Sequence, residues 1–126
     1  DDKEAVKWYR LAAEQGITNA QTNLALMYDN GEGVIEDDKE AVKWYRLAAE
    51  QGNAKAQSNL AFMHATGEGV IEDNVYAHMW WNLAAASGSE SARSNKEILI
   101  KKMTPQGISK AQDLARECVK KNYKDC

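Results

Sequence analysis

A sixteen-residue stretch, Asp1 to Gly16, returns without a single change as Asp37 to Gly52. Over the full 36-residue unit 28 positions are identical, and a third, degraded copy starts at Asp73. A unit of this length cannot bury its own apolar face and has to stack on its neighbours, so the period constrains the fold more than any local motif does. The units read as residues 1–36, 37–72 and a degenerate 73–103, followed by a C-terminal cap helix over 104–126, all within one repeat domain. A chain of 126 residues can bury a real core, here drawn out along a row of units.

Within the first unit, Ala5, Trp8 and Ala12 recur at helical spacing, with Val6, Tyr9 and Ala13 widening the stripe and Lys3, Lys7, Arg10 and Glu14 on the other side. This pattern predicts an amphipathic helix A from Asp1 to Gln15, capped by Asp1 with Glu4 three residues on and stopped at Gly16. Helix B follows over about residues 19–30, with Ala20, Leu24 and Met27 on one face. The short link makes A and B antiparallel neighbours, and Ala12 and Ala20 let their backbones approach. Gly31-Glu32-Gly33 ends helix B with two positions free to take positive φ, and Asp37 caps the next helix.

The second unit predicts helices over 38–51 and 55–66. The third keeps Ala77, Trp80, Leu83, Ala84, Ala85, Gly88, Ala92 and Asn95 in register but replaces the Gly-x-Gly loop by Met103-Thr104-Pro105, a helix restart with Thr104 as cap. A last helix over 105–121 presents Ile108, Ala111, Leu114, Ala115, Cys118 and Val119 as a lid over the final pair. The fold class expected is all-α, an α/α solenoid of antiparallel pairs with about seven helices.

Charge is unevenly placed. Residues 1–100 carry 9 Lys or Arg against 16 Asp or Glu, and residues 101–126 carry 7 against 3. The basic tail reads as a helix end complementing its dipole, with a nucleic-acid or lipid patch as the alternative, although only Tyr123 offers an aromatic ring among its lysines. No apolar run approaches the roughly 18 residues of a membrane span. The chain opens without Met at a repeat boundary, which suggests a fragment or a mature product.

The run Ala5-Val6-Lys7-Trp8-Tyr9-Arg10-Leu11-Ala12-Ala13-Glu14-Gln15-Gly16, followed by Ala20-Gln21, Asn23-Leu24-Ala25, Met27-Tyr28 and Gly31-Glu32-Gly33-Val34, resembles the Sel-one-like repeat, a branch of the tetratricopeptide superfamily. The resemblance covers essentially the whole chain. It departs from the family at Ala25 and Ala61, where glycine is usual. It implies a right-handed solenoid whose A helices line a concave face, serving as an adaptor or binding scaffold; members act in secretion-pathway quality control, bacterial signalling and host interaction. In an exported branch of the family, cysteines eight residues apart bridge the two helices of a pair. Cys118 and Cys126 align with Ala12 and Ala20, so the resemblance implies a disulfide between them and, with it, an oxidising compartment, periplasmic or secreted; two free thiols in a cytoplasmic protein are the alternative.

Catalytic material is scarce. His64 stands in the place of Tyr28, and His78 in the place of Val6 and Val42; neither has a partner at ligand spacing, so no metal, cofactor or catalytic residue is expected. Exported relatives are linked to penicillin binding, which raises a β-lactam-directed or cell-wall enzyme as a rival. None of the serines (Ser58, Ser87, Ser89, Ser91, Ser94, Ser109) has a lysine three residues on, and no Lys-Thr-Gly occurs.

Trp8, Trp44 and Trp80 recur with the period and read as packing residues. Asn23, Asn59 and Asn95 read as amides that satisfy backbone groups between helices, with ligand contact as the alternative. The candidate binding face is the polar stripe of the A helices: Lys7, Arg10, Lys43 and Arg46, flanked by Tyr9, Tyr45, Trp81 and Asn82. Spaced cations with aromatic flanks suit an extended peptide that offers carboxylates or carbonyls. The function expected is a non-enzymatic scaffold for a protein or peptide partner, with an architectural spacer in a longer array as a further alternative. Neither nucleic acid nor membrane insertion is expected, and the uncapped first unit allows self-association.

Overall fold

The computed structural model describes residues 1–126 and contains seven helices and no strand. They are α1 (Asp2–Glu14), α2 (Thr18–Asn30), α3 (Asp38–Ala49), α4 (Ala54–Thr66), α5 (Asn74–Ala86), α6 (Glu90–Ile100) and α7 (Pro105–Lys120). None is long and apolar enough to cross a membrane.

The helix starts follow their caps. Asp1 accepts from the backbone N–H of Lys3 and Glu4, Asp37 from Glu40, Asp73 from Val75 and Tyr76, and Thr104 from Gly107 one residue before Pro105 opens α7. Asn53 and Ser89 cap α4 and α6, whereas Ile17 leaves α2 without a side-chain cap. Each A helix ends in one way. Gly16, Gly52 and Gly88 take φ of 88°, 88° and 101°, and the next amide returns to the carbonyl of Ala12, Ala48 or Ala84 at 3.1–3.2 Å. The α7 helix copies this ending with Asn122 at φ 56° in the glycine's place and Tyr123 N–H on the Cys118 carbonyl.

Packing runs from neighbour to neighbour: α1 on α2, α2 on α3, α3 on α4, and on to α6. The contacts are lined with fully buried alanines, among them Ala41, Ala48, Ala56, Ala61, Ala77 and Ala84, whose small side chains let helix axes approach. Leu24, Leu60, Met63, Trp80 and Tyr45 fill the space between. Two buried glutamines brace the pairs internally: Gln21 Nε2 donates to the Ala13 carbonyl at 3.2 Å and Gln57 Nε2 to that of Ala49 at 3.1 Å. The backbone-satisfying amide expected of Asn23, Asn59 and Asn95 is thus supplied by the glutamines two residues earlier in the first two units.

The two ends of the stack differ. Trp44 and Trp80 are 6% and 0% exposed, as packing residues should be, but Trp8 is 65% exposed because no helix lies on that side of α1. At the other end, the positions that α4 buries as Gln57 and Ala61 are exposed Arg93 and Glu97 in α6. A polar outer face of this kind closes a repeat stack.

The last helix lies on the final pair as expected, though on only one of its two helices, and the form of the disulfide needs correction. The α7 helix does not continue the stack over α6; it turns back and packs on α5. Charged Arg93 and Glu97 deny it an apolar seat on α6, while α5 offers Tyr76 and Met79 to Leu114 and Cys118. The disulfide exists, Cys118 to Cys126 with Cα atoms 5.5 Å apart, but Cys126 lies in the turn after α7 and not on a second helix. Left-handed Asn122, Tyr123 and Asp125 coil the chain back within reach of Cys118. That turn places the Tyr123 ring against Gly52 and lets Lys124 Nζ donate to the Glu50 carbonyl at 3.2 Å, so α7 is anchored at the end of α3 as well.

Candidate interaction surfaces

The stripe expected on the A helices divides in two. Lys7 and Lys43 are exposed, and the only ion pairs in the molecule lie within α6 and α7, so both ammonium groups are free of carboxylates. Lys43 lies over the Trp44 ring, 5.1 Å from its centroid. Arg10 is already engaged: it donates to the Tyr28 hydroxyl and covers the Tyr28 ring. Arg46, the same position one unit on, is half-buried beside His64, the residue that replaces Tyr28. Tyr9 is half-buried at the open end, and half-buried Asn82 accepts from Lys96 Nζ at 3.1 Å.

Tyr45 and Trp81 are not available flanks. Both are buried, because the preceding B helix covers their side of α3 and α5. The Tyr45 hydroxyl donates to Asp29 at 3.0 Å, and Trp81 Nε1 donates to the Ser58 carbonyl at 3.0 Å. In the third unit the place of Lys7 and Lys43 is taken by Met79, which α7 buries. The cationic stripe therefore spans the first two units and ends under α7.

On another side, a cavity of about 230 Å³ opens between α4, α5 and α6. Trp81 and Leu99 line it together with Phe62 and Ile98, which are 50% and 58% exposed. Asn74 and Asn95 supply amides, and Glu72 and Lys102 stand at the same opening. Of this set the stripe expectation included only Trp81. Phe62 and Ile98 stand 36 residues apart, with Leu26 one period earlier, and that recurrence of large apolar residues on B helices was the available signal.

One unit earlier, the carboxylates of Asp29, Asp38 and Glu68 come within 4.8 Å of one another. Burial raises the pKa of Asp29, the Tyr45 hydrogen bond opposes the rise, and the charges of Asp38 and Glu68 add to it. Burial also pushes the Tyr45 phenol up, with Asp29 contributing. Three ligands fall short of the six to eight oxygens a calcium ion takes, so the cluster is an electronegative patch before it is a metal centre.

The histidines are structural in placement. His64 stacks on Tyr76 and His78 is buried in α5; burial, with Arg46 beside one and Lys96 beside the other, lowers both pKa values. Both rings are neutral in the neutral pH range.

The model of the Sel1 repeat matches residues 1–17, 18–53 and 54–89. The chain belongs to the Sel1 repeat family. The model's full repeats are 36 residues long, as the internal period is, but begin at the B helix. No curated protein sequence matches this Sel1 repeat chain. Among solved structures, it is similar to a protective antigen present in uropathogenic Escherichia coli strains that displays an SLR fold, with 33% identity and a TM-score of 0.91 over 96% of this chain. It spans 27% of that protein's length. A Sel1 repeat protein from Oxalobacter formigenes is similar at 40% identity and a TM-score of 0.73, covering 77% of this chain and 73% of that one. Sel1 repeats generally serve protein–protein interaction.

Proposed function

We propose that this Sel1 repeat domain is a non-enzymatic scaffold that holds a segment of another protein on the A-helix face of its first two units. The observation that carries this reading is the pair Lys7 and Lys43, exposed, unpaired and held one period apart by identical helices. Arg10 and Arg46 stand beside them, with Tyr9 and Asn82 at the margins. Two exposed ammonium groups one period apart suit a partner segment that carries carboxylates. The placement of chemically reactive groups agrees with a role without turnover: the cysteines are bonded to each other, and the histidines are buried and desolvated. The bridge also supports a site of action outside the reducing cytoplasm.

Affinity capture from an extract of the source cell, with the wild-type domain and its Lys43→Glu/Arg46→Glu variant side by side, tests the face. A partner held by the first and lost by the second supports it, provided both melt at similar temperatures. A partner held equally by both removes this face from consideration.

A further inference from the structure

The cavity at Trp81 and the acidic patch at Tyr45 are one groove seen at two registers. Each lies where a B helix, the next A helix and the next B helix meet. Shifting the cavity residues back by one 36-residue period turns Trp81 into Tyr45, Ala65 into Asp29, Asn74 into Asp38, and Ile98 into Phe62. Where the earlier register carries the carboxylates of Asp29 and Asp38, the later one carries uncharged Ala65 and Asn74. Phe62 lines the later register and, by the period, has in the earlier one the place that Ile98 has in the later.

We propose that this groove docks an extended segment of a partner protein in which a basic residue sits at the Asp29–Asp38 register and a bulky apolar residue enters the Trp81 cavity. The proposal rests on the scaffold reading but not on the cationic face. The cavity, about 230 Å³, has room for one large side chain and part of its backbone. Its walls, Phe62 and Ile98, are the kind of exposed apolar surface that burial against a partner stabilises. Asn74 and Asn95 present amides at its mouth, suited to a peptide backbone. The earlier register supplies charge complementarity: three carboxylates lie together with no ion pair to any cation of this chain. Helix layers repeat at roughly 10 Å, which an extended chain spans in about three residues. The segment is therefore basic, two residues of any kind, then apolar.

The probes are fluorescein-labelled Gly-Ser peptides that carry one Arg and one Phe at spacings of one to five residues, read by fluorescence anisotropy on the purified domain. Binding is expected to peak near a spacing of three and to weaken by at least about tenfold when the Phe becomes Ala. In the protein, Ile98→Asp abolishes the contribution of the Phe; Ile98→Ala, with a circular-dichroism melt, separates this effect from loss of fold. Asp29→Asn removes the preference for Arg over Gln and leaves the Phe effect intact. No binding above the Gly-Ser control, or binding that survives Ile98→Asp in a folded variant, overturns the proposal. Binding that Lys43→Glu/Arg46→Glu abolishes and Ile98→Asp does not would overturn the groove while leaving the scaffold reading in place.

Discussion

Gly69 closes onto the first turn of its own unit so tightly that a β-carbon on it would lie 2.4 Å from the carbonyl oxygen of Asp38. Gly33 meets Asp2 in the same way at 2.3 Å. Both glycines also hold φ above 70°, so two separate demands fall on one position. Gly16 and Gly88 share the positive φ but have nothing within 4 Å.

The two kinds of glycine should therefore separate on substitution. Gly16→Ala is expected to cost about 1 kcal/mol from backbone strain alone. Gly69→Ala adds a clash with backbone that cannot rotate away and should cost about 3 kcal/mol or more. Urea denaturation of the two variants checks the order; equal losses would mean that the loop moves off Asp38 freely.

Trp8 and Trp44 lie in identical sixteen-residue segments, which makes them an internal control for burial. Trp44→Ala should cost about 3–5 kcal/mol because it opens a cavity in the stack. Trp8→Ala, on the open side of α1, should change stability by less than about 1 kcal/mol. The comparison by denaturation also reports whether another surface covers Trp8, since a concentration-dependent loss in the Trp8 variant would reveal self-association.

The histidines set a pH dependence with a defined sign. Their folded pKa values lie below the ordinary 6.5, so between those values the unfolded chain binds more protons than the folded one. Stability from this source is full above 6.5 and is lost as the pH falls through the folded values. His64→Tyr and His78→Val install residues that other units carry at these places. The double variant should show a smaller drop in melting temperature between pH 7 and pH 5 than the parent, measured by calorimetry.

Reduction of the Cys118–Cys126 bridge should cost about 2.5 kcal/mol, the loop-closure estimate for so short a segment. Its effect is expected to centre on α7, through release of Tyr123 from Gly52, and hydrogen exchange on α5 and α7 would localise it. Intact mass of the native protein should lie about 2 Da below the reduced value, the two hydrogens lost in forming one disulfide.

Much of the fold was legible because the repeat states its own boundaries. Caps at Asp1, Asp37 and Thr104 and the stop at Gly16 with its copy Gly52 placed the ends of α1 to α4 and of α7 to within about two residues. The interaction surface was less legible, and for a physical reason. A helical wheel ranks residues by side, but the neighbour that covers a side is chosen by the packing of other helices. Tyr45 and Trp81 sit at the margin of the polar stripe in sequence and beneath a B helix in space. Asp29, Asp38 and Glu68 come from three segments whose meeting depends on how two units stack, and nothing local brings them together. That α7 lids the final pair was legible from its apolar stripe, but its seat on α5 alone was not, because the charges on α6 decide that.

Those same charges give the stack a direction of growth. Another helix pair laid against α6 would have to strip water from Arg93 and Glu97 with no partner built to receive them, whereas one laid against α1 would meet the surface that α3 already offers to α2. Lengthening is thus favoured at one edge only, and a variant with Arg93→Gln and Glu97→Ala would turn the finished edge into a sticky one.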